Sequence, residues 1–85
     1  MPMRVQLTQE AYDQAQELQE PIYSRVMAIV ERLENWPAVS GAKPLRRGLV
    51  GQYRIRTGDY RVQFRLQGSV IIVEKIGKRD RFYED

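Results

Sequence analysis

The chain has 85 residues, with 14 Lys plus Arg against 11 Asp plus Glu and a formal net charge of +3. It contains neither Cys nor His. That excludes a disulfide framework, a thiolate nucleophile and Cys-ligated zinc, and it removes the commonest general base and metal ligand. A chain this short supports one modest core and one domain, residues 1–85, without a large substrate cavity or a cofactor domain. No cofactor and no metal are expected. No apolar run approaches the roughly 18 residues of a membrane span, and residues 1–8 lack the pattern of a signal peptide. The expectation is a cytoplasmic protein without a membrane partner.

In chain order, Met3, Val5 and Leu7 alternate with Arg4 and Gln6 and predict a short first strand. Thr8 is a candidate N-cap, and Glu10 in the first turn suits the helix dipole. Ala11, Ala15 and Leu18 then recur at helical spacing, which predicts a helix over 9–19. Pro21 fits the first turn of a second helix. Ile22, Val26, Ile29, Val30, Leu33 and Trp36 lie on one face of it, until Pro37 ends it. These stripes predict an antiparallel helical hairpin in which Trp36 is core filler.

Residues 38–48 read as a loop punctuated by Gly41, Pro44 and Gly48. From Leu49 the period changes to two. Tyr53 and Ile55 share one face, and Arg54 and Arg56 share the other. Thr57-Gly58-Asp59 predicts a tight reversal. Tyr60, Val62, Phe64 and Leu66 then alternate with Arg61, Gln63 and Arg65, and Gln67-Gly68-Ser69 turns again. Val70 to Ile76 is nearly continuously apolar, as in a central strand covered on both faces, with Gly77 as its end. The fold class is therefore α+β. An N-terminal strand and a helical hairpin pack on an antiparallel sheet that closes with a three-strand meander.

Charge is distributed unevenly. Residues 1–42 carry three Arg against six acidic side chains, whereas residues 43–85 carry eleven Lys or Arg against five. Eight of those eleven cations are Arg, the side chain suited to bidentate phosphate contact. Such a half favours a polyanionic partner, either nucleic acid or an acidic peptide, although a solvated charged surface has the same composition. On the hairpin, Arg54, Arg56, Arg61 and Arg65 project from the face opposite the apolar residues, about 5 Å from their cross-strand neighbours. Like charges so placed are destabilising, so the cluster points to an anionic ligand. Arg79 and Arg81 follow the last strand near the same face, and Tyr83 lies four residues after Arg79.

This set has a chemistry. RNA carries its own nucleophile, the 2′-OH beside each phosphodiester, and guanidiniums aimed at the phosphate oxygens stabilise the charge of the transition state. Tyr has a reference pKa near 10, and neighbouring Arg would lower it, which makes Tyr83 a base in a protein without His. The plain alternative for Tyr83 is an aromatic covering the sheet edge.

The run Gly51-Gln52-Tyr53-Arg54-Ile55-Arg56-Thr57-Gly58-Asp59-Tyr60-Arg61-Val62, followed by Ile76-Gly77-Lys78-Arg79 and Tyr83, resembles the RelE/ParE superfamily of bacterial toxins. The helical hairpin and the Trp36-Pro37 to Lys43-Pro44-Leu45 loop are similar too. The resemblance implies a toxin of a type II toxin–antitoxin system, and in its RelE branch a ribosome-dependent, metal-independent endoribonuclease that cleaves mRNA in the A site. It implies phosphate binding and assistance to proton transfer by Arg54 and Arg56, transition-state stabilisation by Arg61 and Arg79, and a general base in Tyr83. Arg46, Arg47, Arg65, Lys78 and Arg81 are candidates for further phosphate contacts. The best-studied type carries Lys where this chain has Arg54 and Arg56. Because Arg holds its proton far above neutral pH, Arg56 would neutralise the leaving oxygen rather than protonate it. The implied partners are a cognate antitoxin, the ribosome and mRNA, and the free oligomeric state is left open. A ParE-like toxin that inhibits DNA gyrase without nuclease activity is the alternative reading, and a basic RNA-binding module is a third.

Overall fold

The computed structural model describes residues 2–45 and 51–78. Strand β1 (Arg4–Leu7) leads into helix α1 (Gln9–Gln16) and helix α2 (Ile22–Arg32), which a 3-10 turn (Leu33–Asn35) extends. Four strands follow: β2 (Lys43–Pro44), β3 (Gln52–Thr57), β4 (Tyr60–Gln67) and β5 (Val70–Lys78). They form one sheet in the order β1-β5-β4-β3-β2. The α+β class is as expected, with strand β1 and the two helices against a sheet whose β3–β4–β5 part is the predicted meander.

Two features differ from the sequence reading. β1 runs parallel to β5, so the sheet is mixed rather than wholly antiparallel. The loop over 38–48 contributes a two-residue strand, β2, paired with β3 through Lys43–Arg54 and Pro44–Tyr53. Element ends also shift. α1 stops at Gln16 instead of residue 19, and α2 gives way at Leu33 to the 3-10 turn. Pro21 occupies the N-cap position of α2, where the Glu20 carboxylate accepts from the Ser24 N–H (3.1 Å) and hydroxyl (2.9 Å).

Thr8 caps α1 as predicted, its Oγ1 accepting from the Ala11 N–H at 3.0 Å. The same hydroxyl donates to the Glu74 carbonyl, and the Thr8 N–H donates to the Val73 carbonyl. One residue therefore ends a strand, starts a helix and ties both to β5. Beyond the end of β1, Gln14 of α1 supplies an acceptor for the Ile76 N–H at 2.7 Å.

The helices cover one sheet face. Ala11 and Ala15 of α1, with Val26, Ile29 and Val30 of α2 and Leu33, bury against Ile55, Val62, Phe64, Ile71, Val73 and Ile76. Trp36 joins the core as filler, its ring centroid 4.8 Å from Tyr53 and 5.4 Å from Phe64. β5 is interior to the sheet, but its two faces differ. Ile71, Val73 and Ile76 are buried beneath the helices, whereas Val70 and Ile72 on the outer face are half-buried. The continuous apolar run thus reflects one covered face and one partly covered face. β5 also continues through Gly77 to Lys78, because Gly77 stays in register with Arg61 and lacks a side chain on the face where Arg61 stands.

Phe64 is fully buried at the centre of this core. Phe64→Ala should lower the unfolding free energy by about 3–5 kcal/mol, and Thr8→Ala by about 1 kcal/mol through loss of the cap. Urea denaturation followed by circular dichroism checks both values and their order.

Candidate functional site

Period-two alternation places two chemistries on opposite faces of the β3–β4 hairpin. On the helix side Tyr53 pairs with Phe64 and Ile55 with Val62, and on the outer side Gln52 pairs with Arg65, Arg54 with Gln63 and Arg56 with Arg61. The connecting turn needs Gly58 in the left-handed region, at φ +59°, where a residue with a side chain is strained. Two guanidinium side chains, Arg56 and Arg61, therefore stand directly opposite each other. β5 extends these rows, with Gly77 beside Arg61 and Lys75 beside Gln63.

Burial sorts the arginines. Arg61 is 0% exposed and is the largest fully buried side chain among the described residues, and Arg54 is 9% exposed. Arg56, across from Arg61, is solvent-exposed. The sequence reading had four guanidiniums crowding one surface opposite the apolar face. Instead, two are sunk into the fold, one is exposed, and the fourth, Arg65, is turned toward a carboxylate. A buried guanidinium is held by its surroundings in one geometry, which suits transition-state stabilisation, and an exposed one suits initial capture of an anion.

The carboxylate is Glu74, which the sequence reading did not single out. Arg65 Nε donates to Glu74 Oε2 at 2.9 Å, and Arg65 Nη1 donates to the Gln67 side-chain oxygen. A register shift between Gln63 and Phe64 makes this pairing possible. Gln63 faces Lys75 and Phe64 faces Val73, so Glu74 is the extra residue of a β-bulge. The available signal was the pair Glu74-Lys75, which interrupts the apolar run of β5.

Lys78 lies apart from the arginines. It pairs with Tyr60, in line with the helix-facing residues, and lines a groove of about 220 Å3 with Glu10, Gln14, Glu17 and Leu18 of the α1 side. Arg46, Arg47, Arg79, Arg81 and Tyr83 lie outside the described residues. Of the sequence-predicted site residues, the structure therefore brings together Arg54, Arg56 and Arg61, with Arg65 paired to Glu74 at the same face. Among the described residues no helix is long and apolar enough to cross a membrane.

A helical layer on one face of a small mixed sheet, with arginines ordered on the other, defines a small α+β protein with a basic sheet face. Residues 5–83 match the family model described as the ParE toxin of type II toxin–antitoxin systems. The chain belongs to this family, and it is a type II toxin of the RelE/ParE superfamily. Solved structures agree. The chain is similar to the toxin–antitoxin complex RelBE2 from Mycobacterium tuberculosis, at 27% identity over 93% of this chain and 100% of that one, with a TM-score of 0.78. It is similar to the archaeal RelE–RelB complex from Pyrococcus horikoshii, at 26% identity over 96% and 100%, with a TM-score of 0.72. A free-state RelE toxin mutant from E. coli shares the fold, with a TM-score of 0.76 over 95% of this chain and 87% of that one at 16% identity. No curated protein matches the chain.

The Arg65–Glu74 pair yields a direct prediction. Glu74→Gln removes the carboxylate that compensates Arg65, so the variant should elute from a heparin column at higher salt than wild type. The double variant Glu74→Gln/Arg65→Gln removes both partners at no change in net charge and should elute close to wild type.

Proposed function

We propose that this toxin is of the RelE type, a ribosome-dependent endoribonuclease that cleaves mRNA in the A site and so inhibits translation. One observation carries the reading. The buried Arg61 and Arg54 and the exposed Arg56 occupy one face of a rigid hairpin, at the positions that the resemblance assigns to phosphate and transition-state contacts. The 26–27% identity to toxins of RelE–RelB complexes supports the same branch.

In the proposed reaction the RNA 2′-oxygen forms a bond to the adjacent phosphorus and the bond to the 5′-oxygen breaks. The products are a 2′,3′-cyclic phosphate and a 5′-hydroxyl. Tyr83 takes the proton from the 2′-OH. Arg61 and Arg79 stabilise the phosphorane-like charge, and preorganised donors of this kind usually supply the largest share of catalysis. Arg54 and Arg56 bind the phosphate, and Arg56 neutralises the leaving oxygen, which receives its proton from water. Arg46, Arg47 and Arg81 provide additional contacts to RNA, whereas Lys78 stands on the helix-facing side and is left out of the scheme. No metal enters the scheme. The partners are a RelB-type antitoxin, the ribosome and mRNA, and the setting is the cytoplasm.

The family match favours a second reading, a gyrase-inhibiting toxin without bond-breaking activity. Primer extension on a reporter mRNA translated in vitro, with a parallel reaction lacking ribosomes, separates the two. Cuts in register with the reading frame, lost without ribosomes, are expected. Inhibited supercoiling in a gyrase assay with no cuts would establish the second reading instead.

Tyr83→Phe and Arg79→Ala should each abolish growth arrest while leaving the melting temperature and antitoxin binding near wild type. Arg61→Lys keeps the charge but loses the planar fork, and its single-turnover cleavage rate should fall by about 100-fold or more with little change in ribosome affinity. Equal losses in rate and affinity would make Arg61 a docking residue.

A further inference from the structure

Gln63 occupies an unusual place on the basic face. It lies on β4, the middle strand of the five-strand sheet, and its side chain stands on the outer face. Across the sheet its register neighbours are Arg54 on β3 and Lys75 on β5. Along β4, two residues either way, are Arg61 and Arg65. A neutral amide is thus flanked by Arg54, Lys75 and Arg61, and by Arg65 with its charge paired to Glu74, at about 5 Å across the strands and about 7 Å along the strand. Gln63 is half-buried, and among the described residues its amide makes no hydrogen bond.

Arginine and lysine only donate, and they hold phosphates without reading sequence. Glutamine carries a donor and an acceptor side by side and can pair with a base edge, as with the N6 and N7 of adenine. Of the other outer-face glutamines on the hairpin, Gln52 pairs with Arg65 and has Leu45 on its other side, and Gln67 already accepts from Arg65 Nη1. When flanking cations seat the phosphates of a single strand, the amide between them is the group positioned to meet an unstacked base.

We propose that Gln63 is a specificity-determining residue, reading the Watson–Crick or Hoogsteen edge of one nucleotide near the cleaved bond. The inference rests on the nuclease reading and deepens it by assigning the side chain that selects where cuts fall. A purely electrostatic role would require only neutrality at this position, so that no further charge is added beside its basic neighbours. Gln63→Met keeps length and neutrality but removes the amide, so it distinguishes the two roles.

The experiment is primer extension on translated mRNA with wild type, Gln63→Met and Gln63→Asn, with cut intensities measured at every in-frame site and folding checked by thermal melting. Wild type should favour some codons over others. Gln63→Met should reduce the ratio of preferred to disfavoured sites by about tenfold, the size of one lost bidentate base contact, while total cleavage changes much less. Gln63→Asn, with a shorter but intact amide, should retain part of the preference and keeps the test available if the Met variant folds poorly. An unchanged ratio in Gln63→Met, or a uniform drop at all sites, would overturn the specificity role. An absence of cuts with wild type would overturn the nuclease reading itself, and with it this assignment.

Discussion

The pairing of β3 with β4 is the constraint on which the other features depend. With Ile55 set against Val62 and Tyr53 against Phe64, every second residue of both strands enters the core, and the residues between must stand outside it. A slip of one position would send arginines beneath the helices and expose Phe64, so the hydrophobic core and the basic face specify the same register. The reversal at Gly58 sets that register locally. The core then holds Arg56 directly opposite Arg61 on the outer face.

Electrostatics on this face is graded rather than uniform. Arg65 is paired with Glu74 at one end of the arginine rows, and the buried Arg54 and Arg61 and the exposed Arg56 lie toward the other. The bulge that brings Glu74 to Arg65 also shifts the register of β5, so one irregularity both ends the basic field and re-aims the strand.

On the opposite side of the sheet, helix α1 has the reverse charge. α1 carries Glu10 and Asp13 with no basic residue and Glu17 follows it directly, whereas α2 carries Arg25 and Arg32 against Glu31. The acidic helix α1 and the arginines thus lie on opposite faces of the sheet, while α2 adds no negative charge to the helical layer. The aromatic cluster of Trp36, Tyr53 and Phe64, with Tyr53 and Phe64 stacked at 5.9 Å, anchors the hairpin to the helical layer. A small domain has little stability to lose, so this anchoring is what permits buried arginine side chains in the same sheet.

Local periodicity made much of this legible in advance. The alternation from Tyr53 to Leu66 identified both the strands and their two faces, the spacing from Ile22 to Leu33 identified the helix and its buried stripe, and Thr8 announced its cap. These are properties of neighbouring residues, and the backbone imposes them without reference to the remainder of the chain. Other features depended on segments far apart in sequence. The parallel seat of β1 on β5, the support that Gln14 lends to the Ile76 N–H, the pairing of Arg65 with Glu74 across a bulge and the complete burial of Arg61 all required the chain to close on itself. A residue's identity states what it can bond to, but only tertiary packing determines which partner comes within reach and how much water is left beside it.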